Sequence, residues 1–173
     1  MQCLTSGALC SIEVLAYGAN NEDTARYGHV KLNTVTVWQA SWFGAFPNRR
    51  GVNIILVDQF QCSVLESRRF DTWGESNSAT QLSSYLQQVS RGSIIVGVSA
   101  DEPSRYLASA LPILREIGAD VTDVQVRGSF GFVAQRGFPA KTVLRKALTQ
   151  EESFTNQPRI NATITGINNV RLL

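Results

Sequence analysis

Three charged residues stand where buried strands would begin or end. Arg50 precedes GVNIILVD (residues 51–58), Asp101 follows SIIVGVSA (93–100), and Arg127 opens the apolar stretch that runs to Gly137, VRGSFGFVAQRG. A guanidinium is almost never left in a core without a partner, so each arginine either reaches solvent or meets a negative or richly hydrogen-bonding group. Arginine carries five N–H donors in a rigid fork, and a carboxylate only accepts. Strand ends are where a rigid sheet can present such groups to a ligand. Two forks and one carboxylate beside aromatic rings suit a sugar, whose hydroxyls need fixed donors and acceptors and whose apolar face needs a ring. Phe130 and Trp73 are the candidate rings. The same charges would also serve as a structural ion-pair network tying strand ends together, and spacing alone favours that simpler role.

Other chemistry is thinly represented. The chain has no GxSxG elbow, Walker loop, HExxH or GxGxxG, and Gly128, Gly131 and Gly137 are spaced wrongly to cradle phosphate. The sole imidazole, His29, lies in an alternating stretch and reads as a structural or surface histidine. Asp58, Glu66, Asp71, Asp101 and Glu102 are carboxylates with no spacing that singles out an acid–base pair, although such pairs are spatial and a polysaccharide hydrolase is the reading they would serve. Three cysteines without a CxxC, and one histidine, make a zinc site improbable. The expectation is therefore no enzyme, no metal and no cofactor.

The elements that must position the charged trio can be read from periodicity. Residues 11–18 alternate as a strand, and 28–38 read as two short strands around Asn33-Thr34. Residues 20–23 form a polar loop, and 40–50 (ASWFGAFPNRR) a loop with exposed aromatics. Residues 51–58 are a central strand, with 62–70 returning as a hairpin. Ser76 or Ser78 caps a helix whose face is Leu82, Tyr85, Leu86 and Val89, stopped by Gly92. After the strand 93–100, Pro103 suits a first helical turn, and Tyr106, Leu107, Ala110, Leu111, Leu114 and Ile117 form the face of a second helix ended by Gly118. Pro112 inside it must kink or break it. The strand after Arg127 follows, then a short strand or helical turn at 141–147 and a last strand at 159–167. Many strands with two helices between central strands predict an α+β β-sandwich with the helices on one side.

The totals fit one domain with a real core: 173 residues, 43% hydrophobic and 17% charged. A net charge of +2 is too small to argue for nucleic acid, and no apolar run approaches membrane-spanning length. The opening MQCLTSGALCSIEV has neither a basic start nor a sustained apolar run, so it does not read as an ordinary signal peptide. Cys3 and Cys10 are near enough to close a small loop, leaving Cys62 unpaired or joined to another chain; three reduced thiols is the equal alternative. Asn161-Ala162-Thr163 is a glycosylation sequon, weak evidence of a secretory route.

RRGVNIILVD, RRFDTWGESNSATQLSSYL, GSIIVGVSADEPS, LREIGAD and VRGSFGFVAQRG, in that order, resemble the interleukin-like EMT inducer domain, also called the PANDER-like or GG domain. The resemblance is clear over 11–137, with 138–173 as an extension of the same single domain 1–173. It implies a compact sandwich with two short helices, secreted or in the secretory lumen. The family includes cytokine-like secreted proteins and the lectin-like stem domain of the protein O-mannose N-acetylglucosaminyltransferase, which binds β-linked N-acetylglucosamine through two arginines and an aspartate. By motif position those fall on Arg50, Arg127 and Asp101, with the usual tryptophan of the last motif replaced by Phe130 and the usual aspartate after the arginine by Gly128. The four-cysteine pattern of the cytokine-like members is absent, which weakens the cytokine reading.

The expected function is a non-enzymatic lectin for N-acetylglucosamine- or galactose-containing glycans, including lactosamine-type chains, with Arg50, Asp101, Arg127 and Phe130 as the glycan site. Its partners would be glycans on glycoproteins or cell surfaces, with no nucleic acid and no membrane insertion. A homo-oligomer, helped by Cys62, would supply avidity. The alternative is a secreted cytokine-like factor that meets a protein receptor through an apolar loop at Trp42, Phe43 and Phe46.

Overall fold

The computed structural model describes residues 10–19, 21, 26–44, 47–164 and 170–172. Ten strands among them form two five-stranded antiparallel sheets. The first has the order β10-β9-β1-β2-β3, with β1 at Cys10–Leu15, β2 at Tyr27–Leu32, β3 at Val35–Ser41, β9 at Arg159–Ile164 and β10 at Val170–Leu172. The second has the order β5-β4-β6-β7-β8, with β4 at Gly51–Asp58, β5 at Ser63–Phe70, β6 at Ile94–Ala100, β7 at Ser129–Gln135 and β8 at Val143–Ala147. Helix α1, Ser78–Gln88, lies between β5 and β6 in the chain, and α2, Leu111–Glu116, between β6 and β7. The expected sandwich with two helices inserted between central strands is what the chain forms.

The second sheet is covered on both faces. One core lies between the sheets and takes Ile12, Val14, Val30, Ile55, Val57, Val96, Val98 and Val133. The other lies beneath the helices and takes Val52, Ile54, Leu82, Leu86, Ile95, Leu114, Phe130 and Phe132. A strand buried on both faces loses its polar alternation, which explains why β6 and β7 read as continuous apolar runs. Parity still sorts their side chains. Phe130, Phe132 and Ala134 point to the helices, while Val133 points to the first sheet.

Pro112 breaks the second predicted helix as its geometry requires. A 3-10 turn at Ala108–Ala110 leads into α2, where Pro112 stands in the first turn and its missing N–H has no intrahelical partner to lose. The segment at 141–147 resolves as β8 after a 3-10 turn at Pro139–Lys141. Two elements were not expected: α3 at Gln150–Thr155, and β10. Helix α3 does carry a sequence signal, since Thr149 Oγ1 accepts from the Glu152 N–H at 3.0 Å, the capping pattern T-x-x-E.

The cysteine pairing differs from expectation. Cys10 is bonded to Cys62, across 52 residues, joining β1 of the first sheet to the β4–β5 turn of the second. The two residues are brought together by the stacking of the sheets, a relation that sequence distance hides. Cys62 is therefore not a free thiol for an interchain bridge. Cys3 lies outside the described residues, as do the loop residues 20, 22 and 23 and Phe46.

Candidate functional site

Sheet order explains why three residues far apart in sequence share one rim. Strand β4 runs antiparallel to β6, with Gly51 opposite Ala100, and β6 runs antiparallel to β7, with Val98 opposite Gly131. The start of β4, the end of β6 and the start of β7 therefore lie at the same end of the sheet. Arg50, Asp101 and Arg127 occupy those three places. They line one hollow of about 260 Å³, together with Ala19, Trp42, Trp73, Glu102 and Val126. Ala19 and Trp42 come from the loops after β1 and β3, so the first sheet contributes one wall.

Each member of the trio is held differently. Arg50 gives Nε to Asp71 Oδ1 at 2.9 Å and Nη2 to Asp71 Oδ2 at 2.8 Å, a bidentate pair that uses two of five donors and leaves three for a ligand. Asp71 also accepts from the Gly74 N–H at 2.9 Å and from Arg69 at 3.1 Å. Burial pushes the Asp71 carboxyl up, but the Arg50 and Gly74 hydrogen bonds and the arginine charges outweigh it and hold it below its ordinary value. A Cβ on Gly74 would fall 2.4 Å from Arg50 Nη2, so a larger residue there would push the guanidinium out of this pairing. Gly51, at φ +100°, makes the adjoining close approach, where a Cβ would lie 2.2 Å from the Phe70 carbonyl.

Asp101 is 5% exposed and sits at φ +63°, the left-handed region. Its backbone carbonyl accepts from the Ala19 N–H at 2.7 Å, and its Oδ2 accepts from Asn48 Nδ2 at 3.2 Å. Its carboxyl is raised above the usual aspartate range, first by burial and then by the neighbouring Glu102 and Asp71 charges, against the pull of Asn48 and Arg50. Tyr17, whose hydroxyl meets Asn48 Oδ1 at 3.3 Å, is pushed up by burial and by the Asp101 charge. Arg127 is also at φ +63°, and its backbone N–H donates to Glu102 Oε2. Glu102 Oε1 accepts from the Ser104 N–H at 2.8 Å, so this buried carboxylate braces the two loops that carry Asp101 and Arg127. Residues held in the left-handed region cluster at ligand clamps more often than elsewhere. Both residues lie just beyond a strand end and line the hollow.

Phe130 does not belong to the site. It is fully buried beneath the helices, its ring on the parity of Phe132 and Ala134, so it cannot touch a sugar. Its backbone N–H donates to Ser99 Oγ at 2.8 Å, a core contact. Of the two ring candidates, Trp73 lines the hollow, with the Arg105 guanidinium 5.3 Å from its ring centroid. The apolar loop expected at Trp42 and Phe43 is exposed, at 42% and 53%, and Trp42 forms part of the hollow. Sequence reasoning did not assign Asp71, Glu102 or Trp42 to the site. The signal for Asp71 was in FDTW itself: Phe70 is core, Asp71 clamps Arg50, Thr72 Oγ1 donates to the Pro103 carbonyl at 2.7 Å, and Trp73 faces the hollow.

Within the described residues no group of three or more histidine, cysteine, aspartate or glutamate side chains is placed to hold a metal. Among known proteins, the family model described as interleukin-like EMT inducer matches residues 50–138. The match includes Arg50, Asp71, Trp73, Asp101, Glu102 and Arg127, and leaves Ala19 and Trp42 outside it. No curated protein matches the chain.

Proposed function

The chain belongs to the interleukin-like EMT inducer family, and on that footing we propose that it is a non-enzymatic carbohydrate-binding protein. Its ligands would be glycans containing N-acetylglucosamine or galactose, lactosamine-type chains among them. The single observation that carries the reading is the convergence of Arg50, Asp101 and Arg127 on one open hollow beside Trp73. Arg50, oriented by Asp71, and Arg127 would donate to ring hydroxyls or an acetamide carbonyl. Asp101 would accept from hydroxyls, and the Trp73 ring would cover the apolar face of the sugar. Glu102 supports the non-enzymatic reading, because both of its oxygens hold backbone N–H groups. The Cys10–Cys62 bond supports an oxidising location, as expected of a secreted or lumenal protein. A homo-oligomer would raise the avidity of a single weak site, without help from Cys62.

A glycan array probed with the wild-type protein and with Arg127→Asn, a residue that tolerates the left-handed backbone at this position, tests the proposal. The expected result is binding to N-acetylglucosamine- or galactose-bearing chains by the wild type, with loss of at least tenfold in the variant. A wild type that binds no glycan overturns it. The exposed Trp42 and Phe43 would then favour the receptor-binding alternative.

A further inference from the structure

We propose that Trp42 is the platform for a second sugar ring, so that the site takes a β-linked hexopyranose disaccharide or longer chain rather than a single sugar. This rests on the glycan reading of the hollow. The polar groups of the site all come from the second sheet. Trp42 comes from the first, on the loop after β3, and lies outside the family-matched residues 50–138. It is therefore the wall most open to setting what this particular chain selects.

The indole is built as a platform. It is 42% exposed, yet it lines the same hollow as Arg50 and Asp101. The Arg26 guanidinium stacks on it at 5.5 Å and on Phe43 at 5.8 Å. Arg26 Nε donates to the Asn21 carbonyl at 2.8 Å, which anchors the stack to the backbone of the β1–β2 connection. Val126, 55% exposed, adds apolar surface to the same hollow, next to Arg127. A first ring bound by two arginines and an aspartate uses the fixed polar groups. The next ring along the chain then needs mainly a flat apolar surface, which equatorially linked pyranoses match with their axial C–H faces. Covering about 55 Å² of apolar indole surface is worth about a factor of ten in affinity.

Calorimetric titration with four sugars tests this: N-acetyllactosamine, N,N′-diacetylchitobiose, N-acetylglucosamine and galactose. The wild type is expected to bind one disaccharide about tenfold more tightly than the better monosaccharide. Trp42→Ala should erase that advantage while leaving monosaccharide affinity within about twofold, and Trp42→Phe should retain part of it. Unchanged monosaccharide binding also shows that the variant is folded. An equal loss for both sugar sizes, or no change in either, overturns the platform and leaves the glycan reading intact. A wild type that binds none of the four sugars overturns the glycan reading, and the platform with it.

Discussion

Asp101 and Arg127 share a left-handed backbone at the rim of one sheet, and that conformation decides how each should be tested. Asparagine tolerates this region and alanine does not, so Asp101→Asn removes the charge without straining the loop. Asp101 is a stronger hydrogen-bond acceptor when ionised, because the neutral acid turns one oxygen into a donor. Because burial raises its carboxyl above the ordinary 3.8, the ionised form is lost at a higher pH than for an exposed aspartate. Glycan affinity of the wild type should fall on acidification while the pH is still above 3.8, and Asp101→Asn should bind more weakly with that pH step flattened. An identical acid profile in both proteins would remove Asp101 from the site. Asp71 titrates in the opposite sense. Its folded value is lowered, so its contribution to stability is present above 3.8 and is lost as pH falls through that lowered value. Asp71→Asn breaks the bidentate clamp and should cost about 2 kcal/mol by chemical denaturation. It should also weaken glycan binding, because Arg50 loses its orientation.

Strands β4, β6 and β7 act as rulers that bring residue types to the rim, and their packing sets how firmly they do so. Gly97 in β6 lies under the Phe132 ring, where a Cβ would come within 2.1 Å of an aromatic carbon. Phe132 is fully buried between sheet and helices and has little room to move. Gly97→Ala should therefore destabilise the protein by about 1–3 kcal/mol, read as a lower denaturation midpoint. Unchanged stability would mean that the β6–β7 face is looser than its packing indicates. The alternation along β7 was legible in SFGFVAQ, but the face to which Phe130 turns was not. Both faces of that strand are apolar, so periodicity could not say which one met the helices and which the other sheet. Of the two candidate rings, Phe130 is therefore sealed in the core, while Trp73 lines the hollow.

Across the whole molecule, the two poles have separate roles. The rim that carries Arg50, Asp101 and Arg127 lies where β4 begins, and the disulfide lies where β4 has ended and turned, at Cys62. The bond ties the first sheet to the second across 52 residues, a crosslink worth about 4 kcal/mol in a chain-entropy account. Replacing both cysteines, as Cys10→Ala with Cys62→Ala, should lower the melting temperature while leaving glycan affinity at 25 °C nearly unchanged. A double variant that keeps its stability but loses binding would reverse this division of roles. Peptide mapping without reduction should recover Cys10 and Cys62 in one crosslinked fragment.

The local pattern of the chain determined the strands other than β10, the two inserted helices, the break at Pro112 and the placing of Arg50, Asp101 and Arg127 at strand ends. These follow from short-range physics: side-chain period, proline geometry, and the cost of burying a lone guanidinium. Only the tertiary structure decided the disulfide partner, the burial of Phe130, the brace made by Glu102 and the arrival of Trp42 at the site. Each of these depends on how one sheet stacks on the other or on which of two apolar faces meets the helices. Such relations join residues with no fixed separation in sequence, so no local period records them.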